Sequence, residues 1–583
     1  MSRAYTGALF YRQKIVIILL NKISSQHLKG DIFGGLTAAV IALPLALAFG
    51  VSSGAGAIAG VYGAIFVGFF AALFGGTATQ ISGPTGPMSV VMALVFTQLI
   101  GSHPDTGLVL AFTCVILAGL FQILFGLLKL GKYFVMVPYP VISGFMTGIG
   151  IIIILLQISP LLGNAGDSNA LAALMNIPNA LSQQNTFATV LGIITLLLMI
   201  YWPEKWTKII PAPLFALITL TVISATFFSQ QGISVIGAIP TGFPSLSMPI
   251  LSLESLYQVS YFAFLLAVLG AIDSLLTSMV ADTLTETHHD SDKELIGQGI
   301  ANTIAGFFGA LPGAGATMRT AINIRAGGKT VLSGIIHSIT LLIVILWAGD
   351  YAQYIPHTVL AGMLIKVGLD IIDWRFIFQI KKVGVFSAAL MLLVLLLTVF
   401  VDLITAVLVG MFIANLVTLD RLTHIQLDNI TFKRGDELLN EISSEISNKI
   451  MSKVNSDLIS SKENITLMDD IQNNLSKSLA NTLLLEIDGP VSFAVSRELS
   501  RRFTENLAFT TLVIDLSNAK LIGTTTAIMI TDLIDRTKTK NKTVLVITGN
   551  EKINQSLDKL SLATLLDKKY QFTNREQALQ TLI

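Results

Sequence analysis

Between Gly30 and Val417 the chain is a succession of apolar runs, most of them about as long as a bilayer's hydrocarbon core is thick. A spanning helix needs about 20 mainly apolar residues. Twelve runs approach or meet that length: residues 31–50, 56–74, 106–128, 134–159, 186–203, 210–228, 257–281, 294–310, 330–348, 355–370, 383–400 and 402–419. Two more, 82–101 and 311–328, are apolar but interrupted by Gly and Pro, which brings the expected crossings to 14. Charged residues make up 13% of the chain, about half the share of a soluble domain. From about Asp420 onward the deficit disappears, so one large membrane domain and one small soluble domain are expected. The net charge of +1 gives no basis for a nucleic-acid partner. Cys114 is the only cysteine, which excludes an intrachain disulfide, and it reads as a small buried side chain.

Lys and Arg set orientation. Arg3, Arg12, Lys14, Lys22 and Lys29 precede the first run, which places the N-terminus in the cytoplasm. Residues 15–20 are a short apolar patch without a small-residue cleavage site, read as an interfacial helix rather than a signal peptide. Basic residues then return after every second crossing from the fourth: Lys129 and Lys132, Lys205 and Lys208, Lys293, Arg325 and Lys329, Arg375, Lys381 and Lys382, and Arg421. The opposite loops 160–185, 229–256 and 349–357 carry no Lys or Arg. Both termini are therefore expected on the cytoplasmic side.

The two interrupted segments have related sequences. Ser82-Gly-Pro-Thr-Gly-Pro-Met88 and Pro312-Gly-Ala-Gly-Ala-Thr-Met318 are too rich in helix breakers to be continuous helix. A shift of 230 positions sets Gly83 on Gly313 and Met88 on Met318, and sets the run around Pro44 against the run around Ser274. An odd number of crossings, seven, separates the pair, so the two halves are expected to be inverted repeats. Interrupted helices in corresponding halves point to a transporter's binding site. Unwound backbone at membrane depth survives only where protein buries it or water reaches it. Two half-helices meeting there aim unpaired N–H groups and positive dipole ends at a common point, which suits an anion.

Asp273 lies deep in the apolar run 262–280 and is a functional candidate because a buried ionisable group is costly there. Thr277 follows one helical turn later on the same face. A carboxylate, a hydroxyl and free carbonyls suit a hard cation such as Na⁺; a proton on Asp273, or a structural cap, are the competing readings. Thr85 and Thr317 lie inside the unwound segments, positioned to touch substrate or ion, or in the case of Thr317 to cap its own helix. Arg319 begins the second half-helix and adds positive charge, pairs with Asp273 or reaches a watery vestibule. His288 and His289 read as a solvated loop rather than a metal site, Asp402 as interfacial, and Asp370 and Asp373 as lying near a boundary. No Ser/His/Asp, zinc or P-loop pattern is evident, so an enzyme is not expected.

Beyond the last run, Leu438, Leu439, Ile442, Ile446 and Ile450 mark an amphipathic helix over 436–459. Strands are expected at 483–487, 512–516 and 544–548, with helices at 492–503 and 525–536, which makes a small α/β domain.

Three stretches carry a resemblance to a known family: Gly30-Asp-Ile-Phe-Gly-Gly-Leu-Thr-Ala-Ala-Val-Ile-Ala-Leu-Pro44, Gly83-Pro-Thr-Gly-Pro87 and Gly313-Ala-Gly-Ala-Thr-Met-Arg-Thr320. With Gly270-Ala-Ile-Asp-Ser-Leu-Leu-Thr-Ser278 and Lys293-Glu-Leu-Ile-Gly-Gln-Gly299, they resemble the SulP anion transporters, and most of all their bicarbonate-carrying members. The resemblance implies a polytopic helical fold of 14 segments in two inverted seven-helix repeats, with core and gate domains and a C-terminal STAS domain. It divides the chain into a cytoplasmic N-terminal segment 1–29, a transport domain 30–420, a linker 421–480 and the STAS domain 481–583. It implies a Na⁺-coupled bicarbonate symporter working by elevator-type alternating access; the alternative is proton-coupled transport of sulfate or a C4-dicarboxylate. The anion would bind at Thr85, Gly86, Ala316, Thr317 and Arg319, and Na⁺ at Asp273, Thr277, Gly315 and Thr317. Arg319 fits the wider family, whereas the bicarbonate carriers are expected to have glycine there. A homodimer among membrane lipids, in a bacterial inner membrane with the STAS domain cytoplasmic, is also implied.

Overall fold

The computed structural model describes residues 21, 25–135, 137–207, 210–238, 244, 246–250, 255–435, 437, 479–491, 499, 501–503, 509–558 and 565–581. The chain divides into two compact units, Met1–Phe412 and Ile413–Ile583. The expected helix at 15–20, that at 436–459, and most of that at 492–503 lie outside the described residues.

Among the described residues, 14 helices match the expected crossings in order: α1 (Leu28–Ser52), α2 (Ala57–Phe74), α3 (Gly86–Ser102), α4 (Gly107–Leu127), α5 (Tyr139–Leu161), α6 (Thr186–Tyr201), α7 (Ala212–Phe227), α8 (Leu256–Thr285), α9 (Ser291–Phe307), α10 (Thr317–Arg325), α11 (Val331–Ala348), α12 (His357–Ile371), α13 (Val385–Phe400) and α14 (Leu403–Asp428). Each corresponds to one expected crossing. Two short strands, β1 (Ser82–Gly83) and β2 (Ala314–Gly315), precede α3 and α10. Helices 1–4 of each half pack together: α4 on α8 and α9, α2 on α9 and α11, and α1 on α2, α10 and α11. A second group joins α5 to α12 and α13, and α6 to α7 and α12. The architecture is a multi-pass membrane fold of two inverted repeats, split into a core and a gate.

Lipid is as apolar as the helices, so close packing rather than hydrophobicity holds such helices together. Glycine pairs supply it. A Cβ on Gly119 of α4 would lie 2.5 Å from the Gly299 carbonyl of α9, and one on Gly299 would lie 2.5 Å from the Gly119 carbonyl. Gly150 of α5 and Gly368 of α12 do the same for the gate, at 2.6 and 2.8 Å.

The structure departs from expectation at several points. Residues 160–185, expected as a loop, contain the helix Ala170–Ser182, started by Asn169 accepting from Ala172 N at 2.8 Å. It was missed because its buried positions are alanines. The second interrupted segment yields a helix of only nine residues. The final helix runs on to Asp428 rather than ending near 419.

In the C-terminal unit a five-stranded sheet has the order β3 (Ile430–Arg434), β4 (Thr482–Ile487), β6 (Thr511–Asp515), β8 (Thr543–Ile547) and β9 (Gln571–Phe572). β3 runs antiparallel to β4 and the other pairs are parallel. β5 (Gly489–Val491) and β7 (Ala519–Ile522) pair separately. The central strands read as unbroken apolar runs because both faces are covered. Leu483, Leu485, Leu512 and Ile514 meet Ala527, Ile530 and Ile534 of α15 (Thr524–Thr539), while Leu484, Val513 and Leu545 meet Ala578. β3 falls in the expected linker and was not foreseen. Its Lys433 pairs with Glu486 of β4 at 2.8 Å, and Arg575 does so at 3.2 Å. Burial alone would push the Glu486 carboxyl up, but the hydrogen bond from Lys433 and the charges of Arg575 and Lys433 together hold it below the usual range.

Candidate functional site

The two interrupted segments meet as a two-residue antiparallel ladder, with Ser82 opposite Gly315 and Gly83 opposite Ala314. The backbones touch: a Cβ on Gly313 would lie 2.4 Å from the Gly83 carbonyl carbon. Beyond the ladder the chains turn into α3 and α10, whose N-cap residues are Thr85 and Ala316. Neither helix has a side-chain cap, so no cap side chain satisfies the orphan N–H groups of their first turns.

Thr85 has the residue type and extended backbone of an N-cap, yet its hydroxyl donates to Asp273 Oδ2 at 2.7 Å instead. α8 passes alongside. Ser274 Oγ accepts from Gly315 N at 3.1 Å, which turns the strand. One turn on, the Thr277 hydroxyl is 2.9 Å from the Gly315 carbonyl and 2.8 Å from the Thr317 hydroxyl. Thr277, Gly315 and Thr317 thus present two hydroxyls and a carbonyl, and the Asp273 carboxylate lies one helical turn before Thr277 on α8; oxygen donors of this kind suit a hard cation. Asp273 is 8% exposed and Thr277 fully buried. Thr317 is the first residue of α10 and does not cap it.

Arg319 is buried, and its Nη2 donates to the Pro84 carbonyl at 2.5 Å. It braces the unwound turn before α3 rather than forming a direct ion pair with Asp273. Gly83, at φ +153°, leaves room for it: a Cβ there would lie 2.8 Å from Arg319 Nη1. The Ala316 N–H is already engaged by the Ile81 carbonyl at 2.9 Å. Gly86 opens the first turn of α3 and faces Ile153 of α5, Ile371 of α12 and Phe49 of α1, apolar neighbours that the sequence did not single out. A vestibule of about 840 Å³, lined by Ser52, Ala93, Gln157, Asp167, His357 and Leu364 among others, opens on the side of the loops without Lys or Arg. Ser52, Ala93, Gln157 and Leu364 also line a small hollow that reaches Gly86 and Ser89.

Other sequence candidates resolve into structural roles. Asp402 accepts from Thr405 N at 2.8 Å and starts α14. Asp373 accepts from Phe376 N and from the Tyr139 hydroxyl, and Asp370 pairs with Lys366. His289 is not solvated loop: its Nδ1 is 2.7 Å from Asp282 and its Nε2 2.9 Å from Ser291 Oγ. This Ser/His/Asp chain, invisible in the sequence, ties the end of α8 to the start of α9. Also missed was a buried polar group around Glu294, Gln298 and Asn302. Their i, i+4, i+8 spacing on α9 was the available signal.

Known proteins resemble the chain in sequence and in fold. A model of the sulfate permease family matches residues 28–395, and a STAS domain model matches residues 475–578. The bicarbonate transporter BicA of Synechocystis sp. is 43% identical over 566 residues, 97% of this chain and 96% of that protein. The solved transmembrane domain of a cyanobacterium BicA matches with a TM-score of 0.63 at 52% identity, covering 67% of this chain and 100% of that one. The murine Slc26a9 anion transporter, solved in an inward-facing state, matches with a TM-score of 0.79 over 98% of this chain and 94% of that one; at 17% identity this likeness concerns the fold alone.

Proposed function

The chain belongs to the sulfate permease family and ends in a STAS domain, and from that premise we propose that it is a secondary transporter carrying bicarbonate together with Na⁺. The supporting observation is the bond from Thr85, at the mouth of α3, to Asp273. It ties the anion-directed helix end to the only carboxylate of the oxygen set.

The energetics favour coupled binding. An anion about 4 Å from an uncompensated carboxylate meets roughly 4 kcal/mol of repulsion at an effective dielectric near 20, close to a thousandfold in affinity. Na⁺ between Asp273, Thr277, Gly315 and Thr317 removes that repulsion and adds a positive charge beside the N-termini of α3 and α10. The anion then lies among Thr85, Gly86, Ala316, Thr317 and Arg319, against Ile153 and Ile371 of the gate. Both ligands are cargo, and the core would carry them by sliding against the gate, an elevator-type cycle. We further propose a homodimer in a bacterial inner membrane, with both termini and the STAS domain cytoplasmic as the basic loops suggest.

Buried Arg319 supports a second reading. A fixed cation at the crossing favours a divalent anion such as sulfate or a C4-dicarboxylate, with a proton on Asp273 as the coupling ion. One experiment separates the two: labelled bicarbonate uptake into proteoliposomes with and without a sodium gradient, for wild type and Asp273→Asn. Sodium-dependent uptake lost in the variant supports symport. Folded protein that takes up sulfate under an acid-outside gradient, and no bicarbonate, rejects it.

A further inference from the structure

Glu294 is one of the buried carboxylates that the proposed transport cycle does not use. It lies on α9, 1% exposed. Every contact donates to it, as an acceptor-only carboxylate requires: Thr77 N at 2.9 Å on Oε2, and the amides of Gln80 and Gln298 at 2.8 Å each on Oε1.

Both glutamines lead to the same place. Gln298 gives its second N–H to Ser82 Oγ at 2.6 Å, and Ser82 is the ladder partner of Gly315. Gln80 packs its amide against Gly315 so closely that a Cβ there would lie 2.5 Å from Nε2. Its Oε1 accepts from Ser278 of α8 at 3.0 Å. One arm from the carboxylate thus reaches Ser82 of β1, and the other packs against Gly315 of β2, whose carbonyl faces Thr277.

The state of Gln298 shows which group dictates the arrangement. Its Oε1 is buried with no hydrogen-bond partner, a costly condition. Turning the amide over would not relieve it, because oxygen would then face the Glu294 carboxylate. Glu294 fixes the orientation of Gln298, and through it the donor on Ser82.

We propose that Glu294 is a positioning residue for the half-helix site, setting the Gly315 carbonyl through Gln80 and the β1 strand through Gln298. This rests on the reading that the Gly315 carbonyl and the Asp273 carboxylate share a cargo ion. A merely structural role would lower the yield or stability of folded transporter and leave its ligand affinities alone.

The test is uptake by full-length Glu294→Gln in proteoliposomes, with KM and kcat measured separately for sodium and bicarbonate. Loss of a clamp made by hydrogen bonds to a charged group is expected to raise the sodium KM about tenfold, with kcat within about twofold. The double variant E294Q/Q298E, which returns an acceptor to the same helix face, should recover part of the loss. If E294Q does not fold, Gln80→Ala cuts one arm and should still raise the sodium KM severalfold. Unchanged KM values in folded E294Q, or in folded Gln80→Ala where E294Q is lost, overturn the proposal. Wild-type uptake indifferent to sodium rejects the coupling reading. The Glu294 proposal is then decided on the KM of the transported anion, supported if it rises and overturned if it does not.

Discussion

The two half-helices occupy equivalent places in the inverted repeats but divide the work. α3 is 17 residues long, carries no charge and has Pro87 in its first turn. It contributes a helix end and little else: the Thr85 hydroxyl at its mouth is spent on Asp273, and the Ser89 hydroxyl on the Thr85 carbonyl. α10 is nine residues long and polar. Its Thr317 joins the oxygen set, Arg319 braces Pro84, Thr320 Oγ1 accepts from Ile81 N at 3.0 Å, and Asn323 donates to the Thr79 carbonyl at 2.8 Å. One arm supplies an open dipole, and the other holds both arms in register. Pseudo-symmetry gives the crossing, and departure from symmetry gives the chemistry.

The largest effect should come from spoiling the crossing itself. Gly313→Ala puts a methyl group 2.4 Å from the Gly83 backbone, which has no soft side chain to yield. Transport should fall to background, with a drop in the amount of monodisperse protein on size exclusion. Gly86→Ala is the matched control on the other arm. Its methyl would meet the Cδ1 atoms of Ile153 and Ile371 at 2.8 Å, the movable ends of side chains. It should fold and transport with a raised anion KM. Equal damage from both would show that the ladder is no stiffer than the helix mouth.

A smaller effect separates the two hydroxyls. Thr85→Val removes a bond to a charged group, worth about 1.5–3 kcal/mol, whereas Thr317→Val removes a neutral one, worth about 1 kcal/mol. The sodium KM should therefore rise about 10- to 100-fold in the first and about fivefold in the second. Isothermal titration with sodium in detergent tests the order without needing transport. The reverse order would mean that Thr317 acts as a direct ligand of the ion, beyond its bond to Thr277.

What the sequence revealed about this site follows from how local each signal is. Gly/Pro clusters break a helix wherever they occur, so both crossings were readable, and Asp273 stands alone in an apolar run. Thr277 followed from helical spacing. Glu294 was unreadable as a hub, because it follows Asp290, Asp292 and Lys293 and looks like the wet start of a helix. Its partners Gln80 and Gln298 are uncharged, and one of them comes from a loop 214 positions away. The bracing role of Arg319 is likewise set by a carbonyl 235 positions off. In the C-terminal unit the parallel strands announced themselves as apolar runs, whereas β3 offers only Ile430 and Phe432 among polar neighbours and is specified by pairing with β4.

The smallest effect concerns His337 on α11, which packs behind the ladder. It is fully buried, and neither ring nitrogen has a hydrogen-bond partner. A Cβ on Gly68 would lie 3.2 Å from both His337 Nδ1 and the Ser82 carbonyl, so the ring and β1 flank the same glycine of α2. Polar residues elsewhere behind the crossing are tied into it, as Asn323 and Gln80 are; His337 is not. Removing a buried polar group that has no partner forfeits no bond and cancels its desolvation cost. His337→Leu should therefore change the melting temperature little or raise it, with the sodium KM unaltered, by fluorescence-monitored unfolding and uptake on the same preparation. Asn323→Leu, which cuts bonds to Thr79 and Ser333, should destabilise by about 1–3 kcal/mol. If both behave as Asn323→Leu does, the second arm's rigidity comes from tight packing of every buried group. If they differ in this way, it comes from the bonds.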